Sequence, residues 1–152
     1  MSSLRFGRIS LATLALTVAG MAAFLCQAQM QDDMAAHGMQ RQAMQACAKA
    51  CTDCQRACDD CATYCARMIT QGKKEHLASL MTCRDCADFC SAAARIVSRG
   101  GPMAKLICTS CAEACEQCGK TCEAFGDDMH MKACAEECRK CEAACKAMVK
   151  QL

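Results

Sequence analysis

The sequence has almost no aromatic side chains: no Trp, one Tyr and four Phe in 152 residues, with a single Pro. Sandwiches, barrels and doubly wound sheets are built from aromatic and β-branched residues, so their scarcity argues against those folds in a chain of one-domain length. Neither sign of charge dominates, with 18 Lys and Arg against 16 Asp and Glu. There is no basic surplus to neutralise phosphates and no aromatic platform for stacking bases, which argues against nucleic acid as a partner. Signatures of catalysis are missing too: three His, no Gly-rich phosphate loop, no G-x-S-x-G elbow and no HExxH. What is abundant is sulfur. Nineteen Cys and 12 Met lie far outside ordinary globular usage.

The N-terminus reads as a targeting segment. Arg5 and Arg8 precede an apolar run over 9–25 that ends in Cys26-Gln27-Ala28, the three-part layout of a secretory signal peptide. Cleavage is expected after Ala28, so that residues 1–28 are removed and residues 29–39 lead into a helical region over 40–152. Leu25 occupies the position before Cys26 where a lipobox needs a small residue, which disfavours lipidation. An uncleaved membrane anchor is the other alternative. Loss of Arg5 and Arg8 would make the basic count equal to the 16 acidic residues, so net charge would steer little. Export to the periplasm is the expectation.

Beyond residue 40 one pattern repeats. Cysteines fall at Cys47, Cys51, Cys54, Cys58, Cys61 and Cys65; at Cys83, Cys86 and Cys90; at Cys108, Cys111, Cys115, Cys118 and Cys122; and at Cys134, Cys138, Cys141 and Cys145. Every step inside a block is three or four, the a/d seam of a heptad, so each block predicts a helix with one sulfur stripe. Lys49, Asp53, Arg56, Asp59, Asp60, Arg67, Glu113, Glu116, Lys120 and Glu123 fall off the stripes and predict a solvated opposite face. Glu116 with Lys120, and Glu142 with Lys146, are favourable i, i+4 pairs. Gly-containing breaks at 71–74, 98–102 and 124–128 separate helices expected near 40–70, 74–98, 102–124 and 129–150, with Pro102 suited to a first helical position. Short connections make neighbours antiparallel. The expected fold is all-α: an antiparallel up-down-up-down four-helix bundle with a cysteine-lined core.

Four chemistries compete for such a core. Disulfides suit an exported chain with an even number of cysteines after signal removal, but cross-linking needs one Cys per contact, not a continuous seam on four helices. Zinc takes closed sets of four ligands, usually with a pair in a knuckle or turn. Iron–sulfur clusters want ferredoxin-like loop spacing, which is absent. A tetrathiolate zinc site would also leave two negative charges in a core that has no Lys or Arg on its stripes. Cu(I) is monovalent and soft, accepts two or three sulfurs, and at about one ion per bridging thiolate leaves the interior nearly neutral. A thiol oxidoreductase would need one reactive pair at a helix start, not eighteen inside a bundle.

The stretch CAKACTDCQRACDDCATYC with its three companion helices resembles the bacterial copper storage proteins over residues from about 40 to 150. The resemblance implies a four-helix bundle filled with Cu(I), many ions per subunit, assembly as a homotetramer, and exchange with copper donor or acceptor proteins. It implies supply of copper enzymes or protection from excess copper, with no catalysis. Exported members resemble twin-arginine substrates, whereas Arg5 and Arg8 are here separated by Phe6 and Gly7, so the general secretory route is equally open. A disulfide-stapled structural protein and a zinc or mixed-metal thiolate buffer stand as alternatives.

Methionine and histidine extend the seams. His37 and Met44 continue the first stripe backward, Met148 continues the last forward and Met131 backward. In the expected topology His37, Met44 and Met148 share one mouth with Met103, while Met68, His76, Met129 and Met131 gather at the other. Thioether and imidazole bind Cu(I) more weakly than thiolate, which suits transfer, and the first mouth is the favoured entrance. The alternative is that Met fills irregular gaps. Phe125, in phase with the third stripe, is expected to be a hydrophobic plug, and His130, off its stripe, to be exposed.

Overall fold

The computed structural model describes the backbone from Leu11 to Leu152 and the side chains of Gln27 and of residues 29–152. Cys26, of the disfavoured lipobox, and the expected cleavage site at Ala28 lie outside the described side chains. The described elements are α1 (Leu11–Thr70), a 3-10 turn (Lys74–His76), α2 (Leu77–Ser98), α3 (Ala104–Glu123) and α4 (Met129–Val149). The chain divides into two compact units, Met1–Met39 and Gln40–Leu152. Among the described residues no helix is long and apolar enough to cross a membrane.

Helix α1 begins well before the expected start near residue 40. Residues 27–46 are rich in Ala, Gln and Met and contain no Pro. Good helix formers without a breaker propagate a helix that has already nucleated. The other corrections are smaller. Residues 74–76 form a 3-10 turn ahead of α2, and Pro102 sits in the turn two residues before α3, where Met103 is the N-cap residue.

The predicted breaks hold the turns. At the end of α1 the Gly72 amide donates to the Ile69 carbonyl (3.0 Å) and the Lys73 amide to Met68 (3.1 Å). At the end of α2 the Gly100 amide donates to Val97 (3.0 Å) and the Gly101 amide to Ile96 (3.0 Å). Both are Schellman closures, and they require the left-handed backbone of Gly72 (φ 88°) and Gly100 (φ 62°). Asp128 starts α4, its carboxylate accepting from the amides of His130 (2.9 Å) and Met131 (3.1 Å), a cap that stabilises a helix by about 1 kcal/mol.

The helices pack with their sulfur stripes inward, and the sulfur contacts fix the topology. Cys51 meets Cys141 (3.7 Å) and Cys58 meets Cys134 (4.0 Å), so α1 and α4 are antiparallel. Cys83 meets Cys118 (3.6 Å) and Cys90 meets Cys111 (3.7 Å), so α2 and α3 are antiparallel. Diagonal partners run parallel, with Cys54 against Cys115 (3.8 Å) and Cys58 against Cys118 (3.9 Å). This is the up-down-up-down bundle. On the outside, Lys120 reaches Glu116 and Lys146 reaches Glu142, each at 2.6 Å. Arg139 binds both carboxylate oxygens of Glu123 (2.8 Å each) and ties α3 to α4.

The interior differs from an ordinary bundle. Buried apolar positions are Cys and Ala, with Val97, Met131 and Met148 the only larger ones, and among the described residues no Leu, Ile or Phe is buried. A buried Leu or Ile contributes about 1.5–3 kcal/mol, and a thiol, with less apolar area, contributes less. The fold therefore rests on close small-residue packing and on whatever the sulfurs hold.

Candidate metal centre

The heptad steps carry each stripe to the bundle axis, and the register of the four helices stacks them in layers. Cys51, Cys90, Cys111 and Cys141 form one layer, Cys54, Cys86, Cys115 and Cys138 the next, and Cys58, Cys83, Cys118 and Cys134 the third. Toward one end the register places Cys47, Cys108 and Cys145 with Ala93, then Met44 and Met148 with Val97 and Ala104. Toward the other it places Cys61 and Cys122 with Ser79 and Met131, then Cys65 with His76 and Phe125. All eighteen of these cysteines are buried and none is in a disulfide.

Neighbouring sulfurs sit 3.6–4.0 Å apart, both within a layer, as Cys86 to Cys115 (3.7 Å), and between layers, as Cys51 to Cys145 (3.6 Å). A metal about 2.3 Å from each of three thiolates separates them by roughly 4 Å, so the tube accepts ions with small adjustments. Quartets whose sulfurs all lie within 4.8 Å of one another recur along it, and they overlap. Cys54 and Cys58 each belong to at least two, as do Cys86, Cys134 and Cys138. Sulfurs shared between quartets are built to bridge successive ions, whereas closed tetrathiolate sites keep their ligands to themselves.

Electrostatics point the same way. Without metal, the thiols hydrogen-bond to one another. Contacts with Cys118, Cys134, Cys138 and Cys54, together with burial, push Cys58 far above the ordinary thiol range. Cys115 and Cys145 are raised by their sulfur neighbours and burial in the same way, and Cys65 by burial first of all. Their partners Cys86, Cys134 and Cys141 are pushed down by hydrogen bonding with the sulfurs around them. Among the described residues no Lys or Arg side chain is buried with them, so the cluster as a whole is neutral thiol, and burial moves it upward. Ionising it requires cations delivered to the sulfurs themselves.

The Met and His positions divide by phase. Met44 is half-buried, its sulfur against the Gly100 turn, and Met148 is buried; the α1–α4 register sets them opposite each other. His37 is exposed and lies in the first unit. Met103 (58 % exposed) and Met129 (77 %) do not join the ends expected for them, because each is out of phase with its stripe. Met68 is half-buried. Phe125, partly buried, packs against the core and stacks on His76 (centroids 4.3 Å, 29°). His130 is half-buried, not exposed. Its ring stacks on Tyr64 (4.4 Å, 22°), a contact across the bundle that its place on α4 does not reveal. Tyr64 donates to Asp128 (2.5 Å). Burial opposes ionisation of Asp128, but the Tyr64 hydroxyl and the two capping amides hold its carboxyl below the usual range.

Of the two buried polar groups at this end, the sequence pointed to His76 and missed Ser79. His76 (3 % exposed), at the end of the 3-10 turn, and Ser79, on α2, are buried seven and four residues before Cys83. Continuing the second stripe backward by its own steps would have found Ser79.

The model of a family described as copper storage protein matches residues 39–150. Solved structures match too. A cytosolic copper storage protein from Streptomyces lividans with five coppers is 34 % identical, covering 76 % of this chain and 98 % of its own (TM-score 0.69). The Cu(I)-bound copper storage protein BsCsp3 is 36 % identical over 70 % of this chain and 98 % of its own (TM-score 0.64). Apo copper storage protein 3 from Bacillus subtilis is 38 % identical over 68 % and 96 % (TM-score 0.59). The chain matches no curated protein sequence. Sulfur stripes on four antiparallel helices, their convergence into one tube and these similarities agree: the chain belongs to the copper storage protein family.

Proposed function

We propose that this chain stores or sequesters Cu(I), about one ion per cysteine, on the thiolates of Cys47 through Cys145 inside the bundle. The overlap of the sulfur quartets carries the reading, because only ions that share ligands use such a tube fully, and a monovalent ion leaves it nearly neutral without buried cations. The BsCsp3 relative is Cu(I)-bound. Binding releases the thiol protons to solvent and couples metal to folding. Met44 and Met148, facing each other beyond the Cys47 layer, serve as thioether transfer ligands, and His37, in phase with Met44, as an imidazole ligand on the way in.

The role is storage without catalysis, for supply of copper enzymes or protection from excess copper, with copper donor or acceptor proteins at the ends of the path. The charge and apolar pattern of residues 1–28 supports export to the periplasm. The exposed Leu77, Met81 and Phe89 on α2 support self-association, and the family resemblance makes that a homotetramer.

Titration of the reduced protein with Cu(I) against a chromogenic chelator tests the reading. Capacity should approach the number of core cysteines, about one ion per thiolate. Saturation at about four or five ions would indicate separate tetrathiolate sites instead.

A further inference from the structure

We propose that the metal tube extends past its last cysteine layers into a mixed-donor Cu(I) site formed by Cys61, Cys65 and Met131, with His76 as nitrogen donor. The proposal rests on the Cu(I)-storage reading. It starts from Met131, which is completely buried. Its Sδ lies 3.6 Å from Cys61 Sγ and 3.7 Å from Cys65 Sγ. These separations fall in the same range as those between the cysteines themselves, a few tenths of an ångström short of the roughly 4 Å that a trigonal thiolate site needs. Met131 also stands seven residues before Cys138, so α4 has placed a thioether where its stripe would call for a thiol.

The second observation comes from α2 and the turn before it. Among the described side chains, the buried nitrogen and oxygen atoms without any hydrogen-bond partner are His76 Nδ1 and Ser79 Oγ. A buried polar atom left without a partner destabilises the fold that holds it. Both continue the sulfur stripe of α2 backward, Ser79 from α2 itself and His76 from the 3-10 turn before it, and by register they fall at the levels of Cys61, Met131 and Cys65. A metal bond to the imidazole removes the first deficit. A thiolate in the Cys61 layer, accepting a hydrogen bond from the Ser79 hydroxyl, removes the second.

The surroundings suit a closed terminal site. Phe125 stacks on His76 (4.3 Å), Tyr64 meets it edge-on (5.8 Å, 80°), and His130 covers Tyr64. The Tyr64–Asp128 hydrogen bond fastens this ring group to the start of α4. Copper enters and leaves as Cu(I), with no change of oxidation state, and the Cys61 and Cys65 protons pass to solvent when it binds. With one thioether and one imidazole in place of thiolates, this ion is held less tightly than those of the central layers, so it fills last and empties first.

X-ray absorption at the selenium edge tests the site directly. The protein is made with selenomethionine in a Met44→Leu, Met148→Leu background, which removes the thioethers of the opposite end, and loaded with Cu(I). A copper neighbour of selenium should be present and should vanish when Met131→Leu is added, a nearly volume-conserving change that a core tolerates. In chelator competition Met131→Leu and His76→Gln should each release one ion about tenfold more readily, while the remaining ions leave as in the parent. A loaded core with no copper–selenium neighbour, or release profiles identical to the parent, would overturn the terminal site and leave storage intact. A core that takes up no Cu(I) at all would overturn the storage reading itself.

Discussion

Copper-free protein taken from about pH 8 to about pH 10.5 should lose its helical circular dichroism, while the copper-loaded protein keeps it over the same range. In the folded apo state Cys51, Cys58, Cys61, Cys83, Cys115 and Cys145 are completely buried and all pushed above the ordinary thiol value of 9.0. Once unfolded, they ionise near that value. A group whose folded pKa is raised contributes stability that is present below its unfolded pKa and lost as pH rises towards the folded one. Each pH unit above 9 removes about 1.4 kcal/mol per such thiol. At pH 10.5 these six together remove roughly 12 kcal/mol, comparable to the whole stability of a typical domain. In the loaded protein the same sulfurs are already thiolates, paired with cations, so alkali has no protons to take from them. Retention of the apo fold at pH 10.5 would mean that the thiols are not buried together.

Heat should separate the two forms as widely. The apo interior has no buried Leu, Ile or Phe among the described residues, and cysteine supplies less apolar area per layer than the leucines of an ordinary bundle. Ions that bind the folded state alone add to its stability by mass action, about 4 kcal/mol for one site when free metal is a thousandfold above its dissociation constant. For a bundle of this size that single site raises Tm by roughly 15 °C, and a tube of linked sites raises it further. Differential scanning calorimetry of the reduced protein, before and after Cu(I) loading, reads this shift. A change of only a few degrees would place the copper on the surface and not between the helices.

The parts of this architecture that depend on local spacing were legible in the sequence. Steps of three and four between cysteines define a seam, a seam implies a facing partner, and Gly72 and Gly100 mark where α1 and α2 must stop. The antiparallel order followed from the shortness of the connections. What depended on neighbours across the bundle was less legible. Met129 and Met131 are two residues apart, and only the phase of α4 decides that one is exposed and the other touches two thiols. His130 was misjudged because its partner is Tyr64, on another helix. The upstream extension of α1 was missed because the sulfur pattern begins only at Cys47, while the helix is carried further back by Ala, Gln and Met residues with no sulfur repeat. Ser79 bears no sulfur, so a search for soft ligands passed over it although it lies on the α2 stripe.

The central claim is that the stacked cysteine layers hold a row of ions that share their ligands. Anomalous diffraction collected just above the copper absorption edge, from crystals of the Cu(I)-loaded protein, tests it most directly. Copper peaks should line the bundle axis between the Cys47 and Cys65 layers, each within bonding distance of two or three sulfurs, and individual sulfurs should bridge adjacent peaks. Peaks confined to the outer faces of the helices, or a core whose sulfurs have joined as disulfides, would contradict it.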